Sequence, residues 1–263
     1  MTAVSTVHPT EDRQLAITAG LLVVAAGGWW WSAHSAAGMG TRMGMASQPG
    51  MDSHMGLRVS SMSAAAFLVA WVAMMAAMMF PAIVPVVRLY ARAAQRRQAV
   101  PTPLFVAGYL LVWSAVGGPA YLAWRALQTP LAEHRSWVAY FAGSVLLAAG
   151  VYQLSPLKYA CLRHCRSPLS FFLRQGANLK KSLGAVRAGA THGLVCLGCC
   201  WAIMAVLIAL GTMNLAWMVA LSALIFVEKA TRIGKAAPVV SALVFVALGV
   251  GLWAHPHLLT SVT

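Results

Sequence analysis

The chain contains few charged residues and very few acidic ones. Only 9% of its 263 residues are charged, and Asp and Glu together number five. A soluble domain averages about 25% charged residues, so the composition argues against a soluble protein. The scarcity of carboxylates argues against a carboxylate-rich metal site or a proton relay. Phosphate-cradling Gly motifs and Ser-His-Asp patterns are also missing, and we expect a binding protein rather than an enzyme.

Cysteine is scarce too, and its placement excludes one class of fold. The five cysteines are an odd number, and none falls in a predicted outer loop. A small extracellular domain stabilised by disulfides needs paired cysteines on the oxidising side of the membrane. The sequence therefore predicts no extracellular disulfide framework.

Long apolar runs dominate what is present. The chain is 60% hydrophobic, and runs close to the roughly 20 apolar residues that cross a bilayer recur along it. They predict an all-α fold, a polytopic transmembrane helical bundle that embeds residues 1–263 in the lipid bilayer as a single domain. The seven predicted spans cover approximately residues 15–33, 64–87, 103–127, 136–154, 189–210, 212–228 and 237–254.

The net charge of +14 follows the predicted loops. Most Lys and Arg residues fall before the first span, between spans two and three, in the basic loop 155–188 and between spans six and seven. Cytoplasmic loops carry this excess in membrane proteins. The pattern predicts an N-terminus inside and a C-terminus outside, and it explains the charge without nucleic-acid binding.

The predicted outer loop, residues 34–63, is rich in methionine and histidine. Thioethers prefer soft ions such as Cu(I), and imidazole adds a stronger ligand. The loop is also rich in small residues, so it can wrap several weak ligands around one ion, although a linker with incidental methionines is the alternative. The candidate ligands are His34, Met39, Met43, Met45, Met51, His54 and Met55.

Span two combines methionines with prolines. Met74 and Met78 lie four residues apart and therefore share a helix face. Pro81 and Pro85 interrupt the backbone hydrogen bonds close to that face. These residues favour weak metal sites along a pathway. The alternative is ordinary packing, because methionine fills gaps in apolar interiors.

Span five carries the sharpest signal in the chain. At about 100° per residue, one face of a helix collects four soft ligands: His192, Cys196, Cys199 and Cys200. Such a face suits a soft or borderline metal ion. Buried cysteines often act only as small apolar side chains, but three within five residues beside a histidine favour metal or redox chemistry.

Another cluster follows span four on the predicted cytoplasmic side: Cys161, His164 and Cys165. Span five starts on the same side, so this cluster and the span-five cysteines are expected to converge. The alternative is a solvated basic loop with idle thiols. Glu228, at the inner end of span six, is costly in lipid unless it is paired. We expect it to pair with Lys229, Arg232 or a base on a neighbouring helix, or to support His192.

Several segments carry a family resemblance. They are the run from Trp71 to Pro81, the segment from Gly150 to Lys158 that leads to Cys161 and Cys165, the run from Cys196 to Trp201, the run from Met213 to Met218, and the pair Glu228 and Lys229. Over roughly residues 60–235 the chain resembles a bacterial family of predicted metal-binding integral membrane proteins, sometimes labelled copper chaperones. The resemblance implies a multi-pass protein of the bacterial inner (cytoplasmic) membrane that binds metal.

These observations predict a protein that captures Cu(I) at the outer loop and holds or relays it at the Cys/His cluster. It would act as a chaperone or assembly factor for a membrane cuproenzyme, or as a copper transporter. Zinc or another soft metal is the alternative cargo. Two other functions stay open: a thiol–disulfide or quinone-linked membrane oxidoreductase, and a non-catalytic subunit associated with other membrane subunits.

Overall fold

The computed structural model describes residues 9–46, 63–96, 102–132, 136–166, 181–210, 215–230 and 236–258, and regular structure within these ranges is helical throughout. Within these ranges, a short 3-10 helix, Pro256–Leu258, follows the last of eight α-helices. These are α1 (Pro9–Ala46), α2 (Ala64–Arg96), α3 (Thr102–Ala132), α4 (Ser136–Gln153), α5 (Pro156–Arg166), α6 (Ser182–Leu210), α7 (Leu215–Ala230) and α8 (Ala236–Ala254). The predicted all-α fold is confirmed for the described residues.

Five of the described helices, α1, α2, α3, α6 and α8, are long and apolar enough to cross a bilayer. A sixth crossing is possible in the pair α4 and α5, which is bent by 66° at a short break. Helix α7, in the sixth predicted span, has only 16 residues. The several apolar helices fit a multi-pass membrane protein. The predicted total of seven spans is larger than the five or six that the length and composition of the described helices support.

Two predicted loops begin as helices. Helix α1 continues to Ala46, past the predicted end of its span at residue 33. The basic segment 155–188 begins with α5, which starts at Pro156 directly after a capping serine. The Ser155 hydroxyl accepts a hydrogen bond of 3.1 Å from the Lys158 backbone N–H, as an N-cap residue does. Proline is favoured at the first helical position because it has no N–H to satisfy.

Helix α6 lies at the centre of the bundle. It packs against α3, α4, α5 and α7, and 61% of its most apolar window is buried, compared with 17% for the peripheral α1. Most of the cysteine-bearing helix is therefore covered by protein, although Leu194 and Trp201 are exposed, and side chains from several other helices can reach it.

The close packing of α3 and α6 depends on glycine. A Cβ added at Gly189 would overlap the carbonyl oxygen of Phe105 and approach the Tyr109 nitrogen to 3.0 Å. A Cβ at Gly108 would likewise overlap the carbonyl oxygen of Val186. Small residues allow this backbone approach between membrane helices. The contact places Tyr109 beside the cysteines of α6.

Candidate metal centre

Three cysteines of α6 form a compact group of sulfur atoms. Cys196, Cys199 and Cys200 are buried, and their Sγ atoms all lie within 4.8 Å of one another. Spacings of three and four residues put them on one side of the helix. The Cys199 and Cys200 thiols donate to the Cys196 carbonyl oxygen at 3.0 and 2.8 Å, which fixes their orientation.

A fourth thiol comes from α5. Cys165 is buried, and its Sγ lies 3.7 Å from the Cys199 Sγ. Cys161, one turn earlier, is half-buried and packs against α6 elsewhere, where a Cβ at Gly198 would approach its sulfur to 2.7 Å. The 66° bend after α4 directs α5 against α6. The structure thus brings Cys165 to the three α6 cysteines, and we call these four residues the cysteine cluster.

Three residues that were not among the predicted ligands lie beside Cys196 or beside its partner Lys229. The Lys229 ammonium on α7 donates to the Cys196 Sγ at 3.0 Å and to the Met79 Sδ at 3.6 Å. The Tyr109 hydroxyl lies 3.1 Å from the same Cys196 sulfur. Thiolates bound to a metal carry negative charge, and an ammonium at this distance compensates it.

A buried polar network holds α7 in place. Glu228 forms an ion pair of 2.7 Å with Lys158 of α5, and both side chains are almost fully buried. The second carboxylate oxygen of Glu228 accepts hydrogen bonds from Gln153 at 3.0 Å and Ser241 at 3.1 Å. The Arg166 guanidinium donates to the Glu228 carbonyl oxygen. The base that pairs with Glu228 is therefore on a neighbouring helix, while Lys229 faces the cysteines.

The predicted histidine ligands of the inner clusters are not members of the described sulfur group. His192 is buried between the rings of Phe105 and Tyr109, at centroid distances of 6.2 and 6.1 Å, and it is not part of the described group within 4.8 Å. His164 is exposed, and its Nδ1 lies 2.7 Å from the Ala160 carbonyl oxygen.

Among the remaining predicted ligands, the structure describes the side chains of Met74, Met78 and His34. Met74 and Met78 are buried in the core, but the α2 methionine that contacts Lys229 is Met79. His34 is exposed and stacks on Trp30 at 5.5 Å. Met39, Met43 and Met45 belong to the helical backbone of α1. Met51, His54 and Met55 lie outside the described residues.

A cavity of about 550 Å³ adjoins the cysteine cluster. Its walls come from the C-terminal half of α2 and the C-terminal ends of α5 and α7, and they include Arg88, Arg92, Cys165, Arg166 and Lys229. The described lining contains neither Asp nor Glu. We call this space the basic cavity. Its lining includes both the exposed Arg92 and the buried Cys165.

The donor set suits a soft metal ion. Thiolate and thioether sulfur select Cu(I), zinc and iron–sulfur clusters, whereas Mg²⁺ and Ca²⁺ require oxygen ligands. The described group contains three thiols and no carboxylate. Cys196, Cys199 and Cys200 are buried, so an ion held by these three thiols would be shielded from bulk water.

Comparisons with known proteins agree with this chemistry. Neither the curated proteins nor the solved structures contain a match to the chain. One family model, PpoB2, described as "Copper chaperone", matches residues 68–252. The match extends from the first turns of α2 to the end of α8 and includes all five cysteines. With most of its length matched and a buried cluster of soft ligands at its centre, the chain belongs to the copper chaperone family.

Proposed function

We propose that this protein is a chaperone of the bacterial inner membrane that holds Cu(I) at the cysteine cluster and transfers it to a membrane cuproenzyme. The supporting observation is the group of three buried sulfur atoms within 4.8 Å of one another. The 3.7 Å approach of Cys165 adds a fourth sulfur from a second helix. A site shared by two helices can change its number of ligands without unfolding either helix.

The charge of the site favours Cu(I) over zinc. Two thiolates and one Cu(I) ion leave a single negative charge, and the Lys229 ammonium lies 3.0 Å from the Cys196 sulfur to compensate it. Four thiolates around Zn²⁺ would leave two negative charges against the same ammonium. Burial raises the free-energy cost of an uncompensated charge. The Cu(I) site favours binding because its single negative charge is matched by the single positive charge of Lys229.

We further propose a route between the outer loop and the cysteine cluster. The predicted loop ligands precede α2, and Met79 lies about 22 Å along α2 from its first residue at 1.5 Å per residue. The buried Met74 and Met78 lie between the two. Copper captured at the predicted outer loop would pass these two thioethers to reach the sulfur atoms near Lys229. Holding, rather than continuous transport, fits a tight multi-thiolate site.

Metal analysis of the purified protein tests this function. Wild-type protein loaded with Cu(I) under reducing conditions is expected to retain it through desalting. Cys196→Ser and Cys199→Ser should each lose most of it, because serine oxygen is a poor ligand for a soft ion. Cys161→Ser is the matched control, since its sulfur packs against Gly198, and it should retain the metal.

The same samples separate the alternatives. Equal copper in wild type and in all three variants would refute the site, and a preference for zinc at equal supply would change the cargo. The 3.7 Å distance between the Cys165 and Cys199 sulfur atoms also suits a thiol–disulfide reaction. A disulfide between them that forms and breaks with quinone redox state, without copper retention, would favour the oxidoreductase.

A further inference from the structure

We propose that the basic cavity is the place where Cu(I) is exchanged with a small anionic thiol that carries it outside the membrane. The inference rests on the proposed function and adds the chemical class of the carrier. It follows from the charge, the size and the sulfur atoms of the cavity.

The charge of the cavity excludes a free cation. Four basic side chains line it, and no acidic residue stands among the described wall residues. A bare Cu(I) ion would be repelled by this field, whereas an anion would be attracted and steered inwards. Cu(I) bound by two thiolates is already an anion, and carboxylates on the thiol increase its charge. The cavity therefore suits Cu(I) in the form of an anionic complex.

The size of the cavity indicates a small carrier. Its volume of about 550 Å³ lies within the roughly 300–1,000 Å³ of small-molecule sites. A folded metal-carrying protein could not enter, whereas a short thiol peptide could. Arg88 and Arg92 lie one turn apart on α2, and guanidinium groups pair with carboxylates in bidentate geometry.

The sulfur atoms connect this space to the cysteine cluster. Cys165 is a wall residue, and its Sγ lies 3.7 Å from the Cys199 Sγ. Lys229, also in the wall, contacts Cys196 at 3.0 Å. In the exchange, two Cu–S bonds to carrier sulfurs break and two to protein sulfurs form. Each protein thiol proton moves to a departing carrier sulfur, so copper stays Cu(I) and total charge is conserved. The reverse steps release the cargo.

The test compares two carriers of opposite charge in neutral detergent. Full-length protein is mixed with the Cu(I) complex of glutathione, an anion, or with that of cysteamine, a cation. Rapid gel filtration and metal analysis give the initial loading rate. Arg88→Gln/Arg92→Gln should slow loading from the glutathione complex about tenfold or more, as loss of steering predicts. Loading from the cysteamine complex should not slow.

The control variant, Lys181→Gln/Arg187→Gln, removes the same charge from exposed positions just before and in the first turns of α6, outside the cavity. It should load like wild type from both carriers, and all proteins should reach the same final copper content. Equal slowing with both carriers, or no slowing, would overturn the exchange site while leaving the chaperone function intact. Failure of wild type to load from either carrier would instead refute the proposed function.

Discussion

At the scale of single residues, the buried charges of α5 and α7 organise the site. Glu228 and Lys229 are neighbours in sequence, yet one pairs with Lys158 at 2.7 Å and the other contacts Cys196 at 3.0 Å. Rotation of α7 would break both interactions at once. The ion pair therefore orients the ammonium that faces the sulfur atoms.

Removing one partner of this pair should destabilise the protein strongly. Lys158→Met leaves the Glu228 carboxylate buried without its counter-charge, and such a change costs about 3–5 kcal/mol. Unfolding by detergent titration would measure the loss. Lys181→Met, at an exposed position, should leave the unfolding free energy almost unchanged.

The double variant Lys158→Met/Glu228→Gln separates charge from packing. With both charges removed, much of the lost stability should return, because a neutral pair carries no uncompensated charge. If the double variant instead loses as much unfolding free energy as Lys158→Met and Glu228→Gln lose together, the two charges do not interact.

At the scale of helices, the glycine contact between α3 and α6 sets the distance between Tyr109 and Cys196. The Tyr109 hydroxyl reaches the Cys196 sulfur at 3.1 Å, and the Tyr109 backbone packs on Gly189. The two helices can only separate if this hydroxyl moves away. We therefore expect copper retention to depend on the packing of these two helices.

Gly189→Ala should lower both stability and copper retention. Its methyl group has to displace the backbone of α3, and overpacking of this kind costs about 1–3 kcal/mol. Thermal unfolding and copper content after desalting are the measurements. Gly118→Ala is the control on α3, because an added Cβ there has no atom within 4 Å apart from its chain neighbours and the nearby backbone of its own helix. An unchanged copper content in Gly189→Ala would show that the contact does not position the site.

The sequence predicted parts of this arrangement and missed others for physical reasons. Helical periodicity placed Cys196, Cys199 and Cys200 on one face, because their order follows from local geometry. Periodicity does not show which side chains of other helices surround a residue. His192, one turn from Cys196, lies beside the rings of Phe105 and Tyr109, and its role as a metal ligand stays a prediction.

The partners from other helices could not be found by spacing. Tyr109 is 87 residues from Cys196, and Met79 is 150 residues from Lys229. One signal was available: an ionisable residue within a membrane helix marks a functional site by default, and Lys229 is such a residue. Ser155 followed by Pro156 was a second, since a serine cap and a first-turn proline start helices.

At the scale of the whole molecule, we predict that the basic end faces the cytoplasm. Arg88, Arg92 and Arg166 mark this end beside the basic cavity, and the positive-inside rule places it there. Protease sites inserted into the full-length chain at residues 47–62 and 167–180 test the orientation in spheroplasts. Externally added protease should cut only the first. Cleavage at the second site alone would show that the topology is the reverse, with the basic cavity on the outer side of the membrane.

The position of Glu228 and Lys229 on the short helix α7 has a consequence for biogenesis. A lone segment with two adjacent charges leaves the translocon for lipid at a high free-energy cost. Its counter-charge on α5 and its sulfur partner on α6 are synthesised earlier, so they are already in the membrane when α7 emerges from the ribosome. We expect α7 to enter the bilayer by packing directly against α5 and α6. The cysteine-bearing half of the bundle would then assemble in the order in which its helices are synthesised.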